Sequence, residues 1–137
     1  MNPALNPKVP ALEDSYFEPS LFRSVPWTYS EIGLERDEFA YLLFGFLRCN
    51  NPKNPNAHWW SYKKQAETLK LGRSTISFIN QLLENSGIVK ISRKKGKSNV
   101  YRYLLIRAEQ IELYREIVAE ERAKLTALYT HDGALRK

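Results

Sequence analysis

Apolar residues recur at three- and four-residue spacing in four stretches of this chain, and they alternate with polar residues in two shorter ones. The first helical stretch runs from about Leu34 to Cys49, with Phe39, Leu42, Leu43, Phe46 and Leu47 on one expected buried face. Glu35, Asp37 and Glu38 crowd its first turn, where the helix dipole favours acids. Asn50-Asn51-Pro52 ends it, and Lys53 to Trp60 read as a loop closed by the Trp59-Trp60 pair. Ser61 is a suitable N-cap for a second helix over Tyr62–Leu69, with Ala66 and Leu69 facing inward. Lys70-Leu71-Gly72 makes a turn. A third helix runs from Arg73 to about Asn85, with Ile76, Ile79, Leu82 and Leu83 apolar, and Gly87 stands just past its end, where a left-handed cap is expected.

Alternation then replaces helical spacing. Ile88–Ser92 and Asn99–Ile106 read as two strands, the second rich in β-branched and aromatic residues. Between them lies Arg93-Lys94-Lys95-Gly96-Lys97-Ser98, a charged hairpin tip whose glycine supplies a positive φ. A last helix is expected from about Ala108 to Leu128. Its stripe of Ile111, Tyr114, Val118, Leu125 and Leu128 is widened by Ile117 and broken by Glu121.

The first 33 residues form an irregular arm carrying Pro3, Pro7, Pro10, Pro19 and Pro26, each of which removes a backbone donor and fixes φ. Apolar residues nonetheless recur there, from Leu12 to Tyr29. Such an arm either wraps its own domain or reaches a partner. The expected organisation is therefore an arm over 1–33, a folded domain over 34–106 and a C-terminal helix over 107–137 that packs on that domain or dimerises.

Composition sharpens this picture through charge. The chain of 137 residues carries a formal net charge of +6, but the charge is not spread evenly. Residues 61–106 hold 10 Lys/Arg against only Glu67 and Glu84, a local balance of +8. Residues 1–60 are slightly acidic, and residues 107–137 are neutral. A basic surface kept for solubility has no reason to gather in 46 residues, so this block implies a polyanionic partner. Hydrophobic residues make up 43% of the chain, enough for a packed core, and no run of 18 apolar residues predicts a membrane span. The start of the sequence has no charged segment followed by an apolar one, so no secretory leader is expected. Cys49 is the single cysteine, which excludes an intramolecular disulfide and fits a cytoplasmic setting.

The order helix, helix, turn, helix, strand, basic tip, strand is the plan of a winged helix. The stretch YKKQAETLKLGRSTISFINQLLENSGIVKISRKKGKSNVYRY, with the helix before it, resembles the helix-turn-helix domains of plasmid and phage replication proteins and of small transcription regulators. The resemblance covers roughly half the chain and implies a mainly α (α+β) winged helix-turn-helix with a two-stranded wing. Ala66 is small where two helices approach, Leu71 plugs the turn, and Lys70 stands where the motif often has glycine. A left-handed backbone there costs a lysine roughly 1 kcal/mol.

The resemblance also implies double-stranded DNA binding, with the third helix (about 73–85) as recognition helix and residues 93–98 as wing. Its exposed face would show Arg73, Ser74, Thr75, Ser77, Phe78 and Gln81. Arg73 suits guanine or phosphate, Ser74 and Thr75 a phosphate at the helix start, Ser77 and Gln81 base edges, and Phe78 either a thymine methyl or packing under the wing or in a dimer contact. Lys63 and Lys64 on the preceding helix, and Arg93, Lys94, Lys95 and Lys97 at the tip, suit phosphates. The biological role implied is transcription regulation or initiation of plasmid or phage replication, with a homodimer through the last helix and the arm as a candidate assembly.

Two other binding classes compete. A winged helix can be a protein-interaction adaptor in a replication or transcription complex, though an adaptor has no need of the basic block. Trp59, Trp60 and Tyr62 would serve single-stranded nucleic acid by stacking. Catalysis is not expected. His58 and His131 are the only histidines, Cys49 ends an apolar helix face, and no phosphate-binding loop or metal-ligand spacing occurs. No cofactor or metal is expected. The acids of the last helix (Glu109, Glu112, Glu116, Glu120 and Glu121) alternate with Arg115, Arg122 and Lys124 as a solvated face.

Overall fold

Glu38 decides how the first helix sits. In the computed structural model, which describes residues 4–10, 27–49, 61–93, 96 and 99–129, helix α1 spans Arg36–Cys49. Glu38 lies in its first turn and accepts a hydrogen bond from the Glu35 backbone N–H at 2.9 Å, the returning half of a capping box. The same carboxylate is fully buried and paired with Arg122 of the last helix. Arg122 Nη2 reaches Glu38 Oε1 at 2.6 Å and the Gly33 carbonyl at 3.0 Å. Burial alone would lower the Arg122 pKa, but the hydrogen bonds and charge of Glu38 outweigh it and the shift is upward. The pair also joins the start of α1 to a residue 84 positions away.

The buried face of α1 is consequently turned from the expected one. Glu38, Tyr41, Leu42, Gly45, Phe46 and Cys49 face the core, whereas Phe39 and Leu43 are half-buried and Leu47 is exposed. Tyr41 donates its hydroxyl to Asn80 Oδ1 inside the core. A methyl group at Gly45 would overlap the Tyr103 hydroxyl, so only glycine lets the sheet approach this helix. Burial holds the Tyr103 phenol protonated, with its pKa well above the ordinary value. Cys49 is buried in the same core. Burial pushes its thiol up to about 12, opposite to the shift that activates a cysteine nucleophile.

Helix α2 spans Tyr62–Leu69 and starts as expected, with Ser61 Oγ accepting from the Lys64 N–H at 3.1 Å. Lys70 caps its end in the left-handed region, at φ 58 and ψ 42. Helix α3 spans Arg73–Asn85 and ends in a Schellman motif. There the Ile88 N–H donates to the Leu83 carbonyl at 2.9 Å and the Gly87 N–H to Glu84 at 3.0 Å, with Gly87 at φ +75. Strands β1 (Val89–Ser92) and β2 (Val100–Tyr103) pair antiparallel, Val89 opposite Tyr103 and Ser92 opposite Val100. The second strand is shorter than its sequence suggests. Its continuation is drawn to the segment before α1, where Tyr29 Oη donates to the Leu104 carbonyl at 2.6 Å and Thr28 Oγ1 to Ile106 at 2.7 Å. That segment, Trp27–Glu31, is a short 3-10 helix inside the stretch expected to be irregular.

Helix α4 spans Ile111–Leu128 and follows a 3-10 turn over Ala108–Gln110. Tyr114, Ile117, Val118, Glu121 and Leu125 are buried by the chain's own elements. Of the two expected uses of the stripe, packing on the domain or dimerisation, the structure shows most of it packed on the domain, although Leu128 remains exposed. Glu121 is no interruption, because Asn6 Nδ2 donates to it at 2.8 Å and Lys124 Nζ at 2.9 Å. Asn6 belongs to the arm, whose residues 4–10 lie along this domain. Its backbone N–H donates to the Asn85 carbonyl at 2.8 Å, Lys8 pairs with Glu116 and Glu120, and Val9 fills the space beside Gly87. Among the described residues the fold is therefore mainly helical, with one small two-stranded antiparallel sheet. No helix among the described residues is long and apolar enough to cross a membrane.

Replacing Arg122 with leucine should lower unfolding free energy by about 3–5 kcal/mol, because it strands the fully buried Glu38 carboxylate. Urea denaturation measures this; a drop below about 1 kcal/mol would make the pair an ordinary surface contact.

Candidate nucleic-acid interface

Helix α3 has apolar contacts on two sides. Ile76, Ile79 and Leu83 enter the main core with α1 and the sheet. Phe78 and Leu82 form a second cluster with Leu125 of α4, and Tyr129 packs against it. What α3 leaves outside is narrow. Arg73, Ser74 and Gln81 are exposed and Ser77 is half-exposed, at spacings of three and four that place them on one face.

Two residues expected on this face do not reach it. Phe78 is 2% exposed, since its ring is covered by α4 rather than left for a partner. Thr75 is 8% exposed, one residue before Ile76 on the side of α3 that faces inward. Both leave the candidate interface.

The rest of the surface is assembled by the α2–α3 turn. Lys63 and Lys64 are exposed in the first turn of α2. Three residues separate the two helices, and the left-handed Lys70 sets their relation while presenting its own exposed side chain. Gly72 caps α3 without a side-chain hydrogen bond, and Arg73 follows it immediately.

Beyond β1 the chain enters the basic segment. Lys94, Lys95 and Lys97 lie outside the described residues, as do His58, Trp59, Trp60 and His131. Gly96 has the expected positive φ, at +75. Arg93 is described, and its guanidinium is turned to α3. Its Nη1 donates to Glu84 Oε2 at 2.7 Å and its Nη2 to Glu84 Oε1 at 3.0 Å, a bidentate pair.

Two further cations belong to this block and were not singled out from sequence. Lys90 and Arg102 are register partners on the exposed side of the sheet. The alternation Val89-Lys90-Ile91 and Tyr101-Arg102-Tyr103 already carried that signal, because period two turns Lys90 and Arg102 away from the core. Among the described residues, no three His, Cys, Asp or Glu side chains gather as a metal site would require.

Comparison of the chain with protein-family models, with curated proteins and with solved structures gives no match.

A Phe78→Leu substitution should cost about 1–2 kcal/mol of stability through the cavity it leaves against Leu125. It should leave any preference among duplex sequences unchanged. Thermal unfolding with a parallel binding assay checks both; altered sequence preference at unchanged stability would return Phe78 to the interface.

Proposed function

We propose that this chain is a winged helix-turn-helix protein that binds double-stranded DNA, with α3 in the major groove and the β1–β2 hairpin as a basic wing. The observation that carries the reading is the coincidence of charge and architecture. The balance of +8 over residues 61–106 falls on the two helices joined by a short turn and on the hairpin that follows them. A polyanion with a regular groove explains why both features occupy one segment.

In this reading the polar and basic residues of the segment have physical tasks. Lys63 and Lys64 in the first turn of α2 neutralise phosphates as that helix crosses the backbone. Arg73 and Ser74 sit at the leading end of α3, where helix-start N–H groups and a guanidinium favour phosphate or guanine. Ser77 and Gln81, one and two turns further along, face base edges. Lys94, Lys95 and Lys97 supply attraction that is indifferent to sequence. Affinity then comes chiefly from the basic segment and discrimination from α3. Transcription regulation and replication initiation both use a protein of this kind, and the two roles share this interface.

Replacing Lys94, Lys95 and Lys97 together with alanine should weaken binding to every duplex and flatten the dependence of log affinity on log salt by about 0.9 for each phosphate no longer neutralised. Fluorescence anisotropy over a salt series measures the slope; an unchanged slope removes the wing from the interface. Replacing Gln81 with alanine should instead change base preference, by about 1–3 kcal/mol at one position. Selection from a randomised duplex pool reads that out, and uniform weakening across sequences would place Gln81 against the DNA backbone.

A further inference from the structure

Glu84 stands in an unfavourable place on two counts. It occupies the last turn of α3, where the helix dipole disfavours an anion. It is also one of only two acids in the basic block of residues 61–106. An acid beside a surface meant for phosphates costs affinity unless it does something else. What it does is visible in the geometry. Both carboxylate oxygens accept from the two terminal nitrogens of Arg93, at 2.7 and 3.0 Å, and the Glu84 side chain is only 15% exposed.

Arg93 follows the last residue of β1 and opens the basic segment that joins the two strands. Val89 and Ile91 already pack this strand into the core that holds α3. The bridge carries the α3–β1 contact two residues past Ile91, to the root of the hairpin. A guanidinium held by a planar two-point fork is oriented as well as attracted, which a single ammonium does not achieve.

We infer that Arg93 is a positioning residue rather than a phosphate contact, and that the Glu84–Arg93 bridge fixes the root of the wing against the recognition helix so that both meet one duplex in a set relation. This rests on the duplex-binding reading given above. It assigns Glu84 a role in DNA affinity that its charge alone would contradict, and it takes Arg93 out of the cations that neutralise phosphate.

The full chain, titrated onto a labelled duplex at about 50–200 mM salt, separates these roles. Arg93→Gln should weaken binding about 2- to 5-fold, the scale of a partly exposed ion pair, with the salt slope unchanged. Glu84→Gln should weaken binding to the same extent, although it removes a negative charge from the DNA-facing side. The double variant should bind no more weakly than either single one, because both remove the same bridge. Arg93→Lys keeps the charge and loses the fork, so it too should bind more weakly with an unchanged slope. Circular dichroism at the assay temperature confirms that each variant is folded. Tighter binding by Glu84→Gln, a slope flattened by about 0.9 in Arg93→Gln, or additive weakening in the double variant would overturn the proposal and leave duplex binding intact. Failure of the unaltered chain to bind any duplex would overturn the duplex reading itself, and the role given to Arg93 with it.

Discussion

Helix α3 is held by apolar contacts on two sides, and the candidate interface is what those contacts leave over. Ile76, Ile79 and Leu83 anchor it in the main core, while Phe78 and Leu82 anchor it against Leu125. Buried area of this kind is worth roughly 1.5–3 kcal/mol per large side chain, so α3 cannot roll to offer another face without giving up several such contributions. The second anchor depends on where α4 lies. That position is fixed in turn by Arg122 on Glu38 and by Asn6 on Glu121. A salt bridge at the start of α1 and an asparagine from the arm therefore help determine which polar residues of α3 meet solvent.

Local signals in the chain carried much of this. The bounds of α2 and α3, the capping Ser61, the left-handed Lys70 and the glycine cap at Gly87 all follow from residues within one or two turns of the feature. Features set by distant contacts did not follow. The buried face of α1 differs from its apolar stripe because Glu38, Tyr41 and Gly45 read as polar or neutral, yet each is buried by a partner 39 to 84 residues away or, for Gly45, by the ring of Tyr103. Phe78 escapes its sequence reading for the same reason. Helical periodicity shows that a residue lies off the main apolar stripe, but not that a second helix, more than 30 residues later, will cover it. Glu121 looks like a break in a stripe until Asn6 supplies its partner.

The candidate site shows the same division. Its charge was legible because charge is counted along the chain, and its narrowness was not. Arg93 reads as one of four cations in a tip, since sequence order sets it beside Lys94, Lys95 and Lys97. The fold sets it instead beside Glu84, nine residues back on α3. Lys90 and Arg102 are the opposite case: alternation turns each away from the core, but only the register brings them face to face.

The most direct test of duplex binding through this surface is an amide chemical-shift titration of the full chain with double-stranded DNA. Perturbations concentrated at Lys63, Lys64, Arg73, Ser74, Ser77, Gln81 and the segment from Lys94 to Lys97, with the buried Phe78 and the outer face of α4 little changed, are the expected result. Perturbations centred on α4 or the arm, or none at concentrations that saturate other basic proteins, would contradict it.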